Sequence, residues 1–145
     1  MDKDLEMCVR LESSLSDVYL KLSNLFPEAS ELFRSLSYEE ARHAEILKNA
    51  DTSLLPRPFL EKLCNDLREP VLSIVSMKDK IDQGVITLKE ALELSWRVET
   101  SGAEHYMNVA LMNGQSEASK VFLNGFVTIN HSHAAMIDEA MKRLV

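Results

Sequence analysis

The chain has 145 residues, which is enough for one domain with a hydrophobic core and too few for two domains of ordinary size. Gly and Pro number only four each and aromatic residues make up 6% of the sequence, so the composition favours helices. A formal net charge of −7 argues against nucleic-acid binding, because phosphates attract a basic surface.

The cysteines and the N-terminal residues indicate the cellular compartment. Cys8 and Cys64 are too few for a disulfide framework or an iron–sulfur site, so we expect free thiols in a reducing compartment. The first residues lack the basic-then-apolar pattern of a secretory signal. No apolar run approaches the roughly 18 residues that a membrane span needs. We therefore expect a cytoplasmic protein that does not contact a membrane.

Apolar residues recur at alternating spacings of three and four, which is typical of helices in a left-handed bundle. The segments with this pattern are residues 4–26, 28–50, 87–112 and 117–144. Pro27 separates the first two segments, because proline lacks the backbone N–H that a continuing helix needs. Thr87-Leu-Lys-Glu90 fits a capping box, which predicts the start of the third helix.

A long connection, residues 51–86, lies between the second and third predicted helices. It contains three prolines and two stretches that suit short helices. The turns after the first and third helices are short, so residues 4–50 and 87–145 should each form an antiparallel hairpin. A connection of this length lets the second and third helices run parallel. We therefore predict one all-α domain, residues 1–145, with the fold of a ferritin-like four-helix bundle and a long crossover.

The apolar stripe of the second helix contains a carboxylate and an imidazole. Glu40 and His43 lie three residues apart, at inward positions where leucine would be expected. Burying an unpaired carboxylate costs roughly several kcal/mol, so the site should supply a partner. In a helical bundle, a Glu-x-x-His pair suits a metal ion. The pair alone is also compatible with a salt bridge on the surface.

Polar residues interrupt the other three stripes at matching depths. Glu12 and Glu99 are each followed seven residues later by a tyrosine, Tyr19 and Tyr106. The inward polar residues of the four stripes are Glu12, Glu40, His43, Glu99, Asn130 and His133. Three carboxylates and two imidazoles at one level of a bundle suit iron or manganese, which accept mixed oxygen and nitrogen ligands. We expect the two tyrosines to donate hydrogen bonds beside such a site without binding the metal.

With these motifs the chain resembles the rubrerythrin branch of the ferritin-like superfamily. The matching pieces are Glu12…Tyr19, Glu40-Ala-Arg-His43, Glu99…Tyr106 and Asn130-His-Ser-His133. The resemblance implies two irons held between the helices, and reduction of peroxide or oxidation of Fe(II) by oxygen species. It also implies which residues bind metal, namely Glu12, Glu40, His43, Glu99 and His133.

The chain differs from that family pattern at two points. Asn130 stands where the fourth helix would carry a glutamate, so a neutral amide replaces one of the carboxylate ligands. Because the site then has one negative charge fewer, we expect either one or two metal ions. Two isolated cysteines cannot form a rubredoxin-type iron site, so a separate protein should donate electrons. The resemblance further implies a homodimer.

An alternative function is open at this stage. The chain could be a degenerate helical module, with a structural zinc ion or no metal, that acts in protein interaction. A metal-free module should gain no thermal stability when Fe(II), Mn(II) or Zn(II) is added, whereas a zinc protein differs from an iron protein in having no redox-linked absorbance.

Overall fold

The computed structural model describes residues 3–49, 57–58, 61, 68–112 and 133–145. Every regular element within these residues is helical, and none of them forms a strand, which confirms the predicted all-α class. The elements are α1, Lys3–Leu25; a short 3-10 turn, Pro27–Ala29; α2, Ser30–Lys48; α3, Arg68–Asp82; α4, Leu88–Met112; and α5, residues 133–144. No described helix is both long enough and apolar enough to cross a membrane.

The first two helices form the predicted antiparallel hairpin. α1 ends at Leu25, and Pro27 opens the 3-10 turn that leads into α2. Side chains then pair across the two helices in opposite chain directions. The ring of Tyr19 stacks on Phe33 with centroids 6.2 Å apart, and Ser16 contacts Ser37 one turn further along the seam. The hairpin therefore places the middle of α1 against the middle of α2.

The start of α4 is set by its own residues. The backbone N–H of Glu90 donates to Thr87 Oγ1 at 3.2 Å, and the N–H of Thr87 donates to Glu90 Oε1 at 3.3 Å. This reciprocal pair is the predicted capping box. Gly84, in the turn before it, has a φ of +69°, a left-handed conformation that glycine adopts without steric cost.

α3 lies within the predicted crossover and packs antiparallel to α4. Lys80, near the end of α3, pairs with Glu90 in the first turn of α4. Met77, one turn earlier in α3, contacts Ser95 further along α4. Because Met77 is fully buried, α3 contributes to the core of the bundle and does more than link the two hairpins.

The apolar core lies on one side of a layer of polar residues. The largest fully buried side chains in the described residues are Tyr19, Leu22, Phe33, Leu36, Met77, Leu92 and Ile137. Those in α1 and α5 follow the polar residues Glu12 and His133, whereas those in α2 and α4 precede Glu40 and Glu99. The core therefore lies directly against one side of the polar layer and packs the four helices around it. The turn after α4 and residues 117–132 of the fourth predicted helix lie outside the described residues.

Candidate metal centre

Five polar side chains from four helices meet in the interior of the bundle. α1 supplies Glu12, α2 supplies Glu40 and His43, α4 supplies Glu99, and α5 supplies His133. Glu12 is 8% exposed and each of the others is 2% exposed or less. Charged residues are almost never buried to this extent unless they are paired or bind a metal. The structure thus brings together all five of the residues that the resemblance implies as ligands.

Glu40 lies at the centre of this group, with its two oxygens facing different imidazoles. Glu40 Oε2 is 3.2 Å from His43 Nδ1, and Glu40 Oε1 is 3.2 Å from His133 Nδ1. The two imidazole rings have centroids 5.8 Å apart. One carboxylate therefore lies between two imidazole nitrogens and contacts both.

Each imidazole also faces a second carboxylate. His43 Nδ1 is 3.8 Å from Glu12 Oε2, and His133 Nδ1 is 3.3 Å from Glu99 Oε2. The residues thus divide into two triads that share Glu40. The first triad is Glu12, Glu40 and His43, and the second triad is Glu40, Glu99 and His133.

The spacing within the triads fits a bound metal ion. Ligand atoms bound about 2.1 Å from one ion, at angles of about 90° to 120°, lie about 3.0 to 3.6 Å apart. The three shorter distances between imidazole nitrogens and carboxylate oxygens, 3.2, 3.2 and 3.3 Å, fall in this interval. The distance of 3.8 Å between His43 Nδ1 and Glu12 Oε2 is slightly longer.

The carboxyl groups of the two triads differ in their affinity for protons. Burial raises the pKa of Glu40 well above its usual value, and the negative charges of Glu12 and Glu99 raise it further. Burial acts in the same direction on Glu12. However, its hydrogen bond with Glu40 and its contacts with His43 outweigh burial, so the pKa of Glu12 is lowered. Glu40 therefore keeps its proton to a higher pH than Glu12 does, and a bound cation would displace that proton.

Two buried atoms of the second triad make no hydrogen bond among the described residues. They are Glu40 Oε1 and His133 Nε2. An unsatisfied buried polar atom costs about 1 to 3 kcal/mol, so native proteins rarely leave one without a reason. For Glu40 Oε1, which faces His133 Nδ1 without accepting a hydrogen bond from it, a cation between the two side chains would supply the missing partner.

A tyrosine orients one of the carboxylates. The hydroxyl of Tyr19 donates to Glu99 Oε1 at 2.7 Å, and the tyrosine side chain is fully buried. Burial and the negative charge of Glu99 raise the pKa of Tyr19 well above its usual value, so the hydroxyl stays protonated and keeps donating. Glu99 Oε1 is thus occupied by Tyr19, and its Oε2 faces the imidazole of His133.

Sequence reasoning missed one residue beside the site, Ser95. It is fully buried in α4, one turn before Glu99, where its hydroxyl donates to Ala91 O at 2.6 Å, and its proximity to Tyr19 offsets part of the rise in the pKa of that tyrosine. Its only signal in the sequence was its inward position in the stripe, where serine suggests packing against a neighbouring helix. Among the predicted site residues, Asn130 and the side chain of Tyr106 lie outside the described part of the chain.

Comparison with known proteins agrees with this geometry. The model of the Rubrerythrin family matches residues 3–141, which include both triads and Tyr19. No curated protein and no solved structure matches the chain. Because the family match extends over nearly the whole chain, and the residues that prompted the resemblance lie together in the bundle, the chain belongs to the rubrerythrin family.

Proposed function

We propose that this protein binds two divalent metal ions, with iron as the physiological metal, and reacts Fe(II) with peroxide or oxygen. The observation that carries the proposal is the position of Glu40, whose two oxygens each face the imidazole of a different triad. A structural salt bridge needs only one imidazole for each carboxylate. A carboxylate shared between two triads is the arrangement that holds two cations close together.

The donor atoms of the two triads suit iron. Glu12, Glu40 and His43 would hold one ion, and Glu40, Glu99 and His133 the other. Neither triad includes a cysteine, so the site lacks the soft ligands that select copper(I). Manganese accepts the same ligands, and zinc would bind without redox chemistry. Iron, when bound, would supply the change of oxidation state that peroxide reduction needs.

The protein side chains then have defined tasks. Glu40 would give up its proton on metal binding and bridge the two ions. Tyr19 would hold the Glu99 carboxylate in place through the 2.7 Å hydrogen bond, and a hydroxyl that stays protonated can continue to do so while the site turns over. Burial of all five ligands would keep bulk water away from the centre. Electrons would come from a separate donor protein.

Anaerobic titration of the metal-free protein with Fe(II) tests the proposal. Wild-type protein should take up two ions per chain. Glu40→Ala should lose both, because both triads use Glu40, whereas Glu12→Ala should lose one. Glu39→Ala is the matched control. It removes the same carboxyl group from the neighbouring position of α2, where the side chain is partly exposed and faces Arg42 at 4.0 Å, and it should leave metal uptake unchanged.

A thermal melt gives an independent measurement. An ion present at 100 times its dissociation constant adds about 2.7 kcal/mol of stability, which corresponds to roughly 9 °C for a chain of this length. Wild-type protein and Glu39→Ala should show this increase with Fe(II), and Glu40→Ala should not. If the wild-type protein takes up less than about 0.2 ions per chain and its melting temperature does not change, the proposed metal binding is wrong.

Turnover is tested separately from binding. Protein loaded with Fe(II) should show an absorbance change on addition of hydrogen peroxide, with consumption of peroxide that depends on the bound iron. Zinc-loaded protein is the control, since it fills the same ligands without redox chemistry. If the protein binds two irons that do not react with peroxide or oxygen, the proposed metal site is correct and the proposed activity is wrong.

A further inference from the structure

The hairpin of α1 and α2 contains a reciprocal pair of serines beside the metal centre. Ser16 Oγ donates to the backbone carbonyl of Ser37 at 2.8 Å, and Ser37 Oγ donates to the backbone carbonyl of Ser16 at 2.8 Å. The two hydroxyl oxygens are 3.1 Å apart. Each helix is thus bonded to the main chain of the other at one point.

This pair, formed by half-buried Ser16 and buried Ser37, differs from the two other buried serines of the described residues. A serine within a helix ordinarily bonds a carbonyl of its own preceding turn. Ser23 follows that rule and donates to Leu20 O at 2.6 Å, and Ser95 donates to Ala91 O at 2.6 Å. Ser16 and Ser37 donate across the helix interface instead. Because these bonds end on backbone atoms, rotation of a side chain cannot preserve them when one helix slides along the other.

The serine pair is one helical turn from the first triad on both helices. Ser16 lies four residues after Glu12, and Ser37 lies three residues before Glu40, so each serine is on the same face as its ligand. A slip of one turn would displace α1 by about 5.4 Å relative to α2 and break both bonds. The same slip would separate Glu12 Oε2 from His43 Nδ1, which are now 3.8 Å apart.

We propose that Ser16 and Ser37 are positioning residues for the first triad. The first triad takes Glu12 from α1 and the other two ligands from α2, so its geometry depends on the register that the serine pair holds. The second triad joins Glu40 to Glu99 of α4 and His133 of α5, and α1 reaches it only through the hydrogen bond from Tyr19 to Glu99. This inference rests on the proposed two-ion function. Its consequence is that loss of the serine pair weakens the first site more than the second.

The test is an anaerobic Fe(II) titration of the metal-free protein that resolves the two binding steps. Glu12→Ala first identifies the step that belongs to the first triad. Ser16→Ala plus Ser37→Ala, made together, should then weaken that step about 10- to 100-fold, as is usual when a residue that orients a ligand is removed. The other step should weaken less, because a shift of α1 reaches the second triad only through the hydrogen bond from Tyr19 to Glu99. Each single substitution keeps one of the two bonds and should give a smaller effect on the same step.

Ser23→Ala is the matched control for the loss of a buried hydroxyl. Ser23 is 3% exposed and lies in α1, but its bond stays within the helix, so both binding steps should remain at their wild-type strength. Far-UV circular dichroism verifies that each variant is folded. If the double variant does not fold, the single substitutions are used for the test instead. Equal weakening of both steps, or no weakening of either, overturns the inference while two-ion binding stands. A wild-type protein that binds no Fe(II) overturns the proposed function itself.

Discussion

Tyr19→Phe removes one buried hydroxyl and keeps the aromatic ring. In the native protein that hydroxyl donates to Glu99 Oε1 at 2.7 Å, and the ring stacks on Phe33 at 6.2 Å. Phenylalanine retains the stacking but leaves the buried oxygen of Glu99 without its donor. A hydrogen bond to a charged group contributes about 1.5 to 3 kcal/mol to stability. We therefore expect the metal-free variant to lose about 2 kcal/mol, or roughly 6 °C in melting temperature.

Urea unfolding followed by circular dichroism, in the presence of a chelator, measures this loss. Tyr38→Phe is the control, because Tyr38 is 65% exposed and loss of its hydroxyl should change stability by less than about 0.5 kcal/mol. The burial of Tyr19 and the charge of Glu99 raise the tyrosine pKa, so the difference between the variants should persist throughout the neutral pH range. Metal binding to the second triad should also weaken about 10- to 100-fold in Tyr19→Phe, because Glu99 would lose the residue that orients it.

Two results would refute this reasoning. A stability loss in Tyr19→Phe below about 0.5 kcal/mol would show that the hydroxyl contributes no net free energy. A loss in stability with unchanged metal affinity would show that Tyr19 stabilises the core without positioning Glu99.

Three further predictions concern stability. Glu40 has a raised pKa in the folded state, so its contribution to the stability of the metal-free protein is full below about pH 4.5 and declines as pH rises through the folded pKa. Glu40→Gln should remove this decline from a series of urea unfolding measurements between about pH 5 and 8. An unchanged dependence of stability on pH would contradict this prediction. Leu22→Ala should lower the free energy of unfolding by about 2 to 5 kcal/mol, because Leu22 is fully buried. Leu20→Ala, at a position 50% exposed, should lower it by less than about 1 kcal/mol. Equal losses would show that α1 packs through another face. Thr87→Ala should cost about 0.5 to 2 kcal/mol by removing the acceptor for the N–H of Glu90, and a neutral result in thermal melts would mean that the cap does not stabilise α4.

The faces of the helices could be predicted from the sequence because they depend on local periodicity. Alternating spacings of three and four placed Glu12, Glu40 and His43 inward, and all three are buried. The capping box at Thr87 was equally predictable, since its donors and acceptors lie within four residues of one another.

The contacts between helices could not be predicted from local periodicity. Tyr19 was expected beside the site, two turns from Glu12 on its own helix, but nothing in the sequence indicated that its hydroxyl donates to Glu99 on α4. The bonds between Ser16 and Ser37 were also missed. Serine in a helix usually bonds its own backbone, so its presence in the sequence does not distinguish a local bond from one across an interface.

Periodicity and motifs in the sequence were enough to predict an all-α bundle that resembles the rubrerythrins and carries carboxylates and imidazoles on its inward faces. Only the tertiary structure decided that Glu40 directs its two oxygens to His43 and His133, and so belongs to both triads. The physical reason is that periodicity along one helix specifies the face on which a side chain lies. The atoms it meets depend on the register and the approach of neighbouring helices, and packing of the whole core sets these.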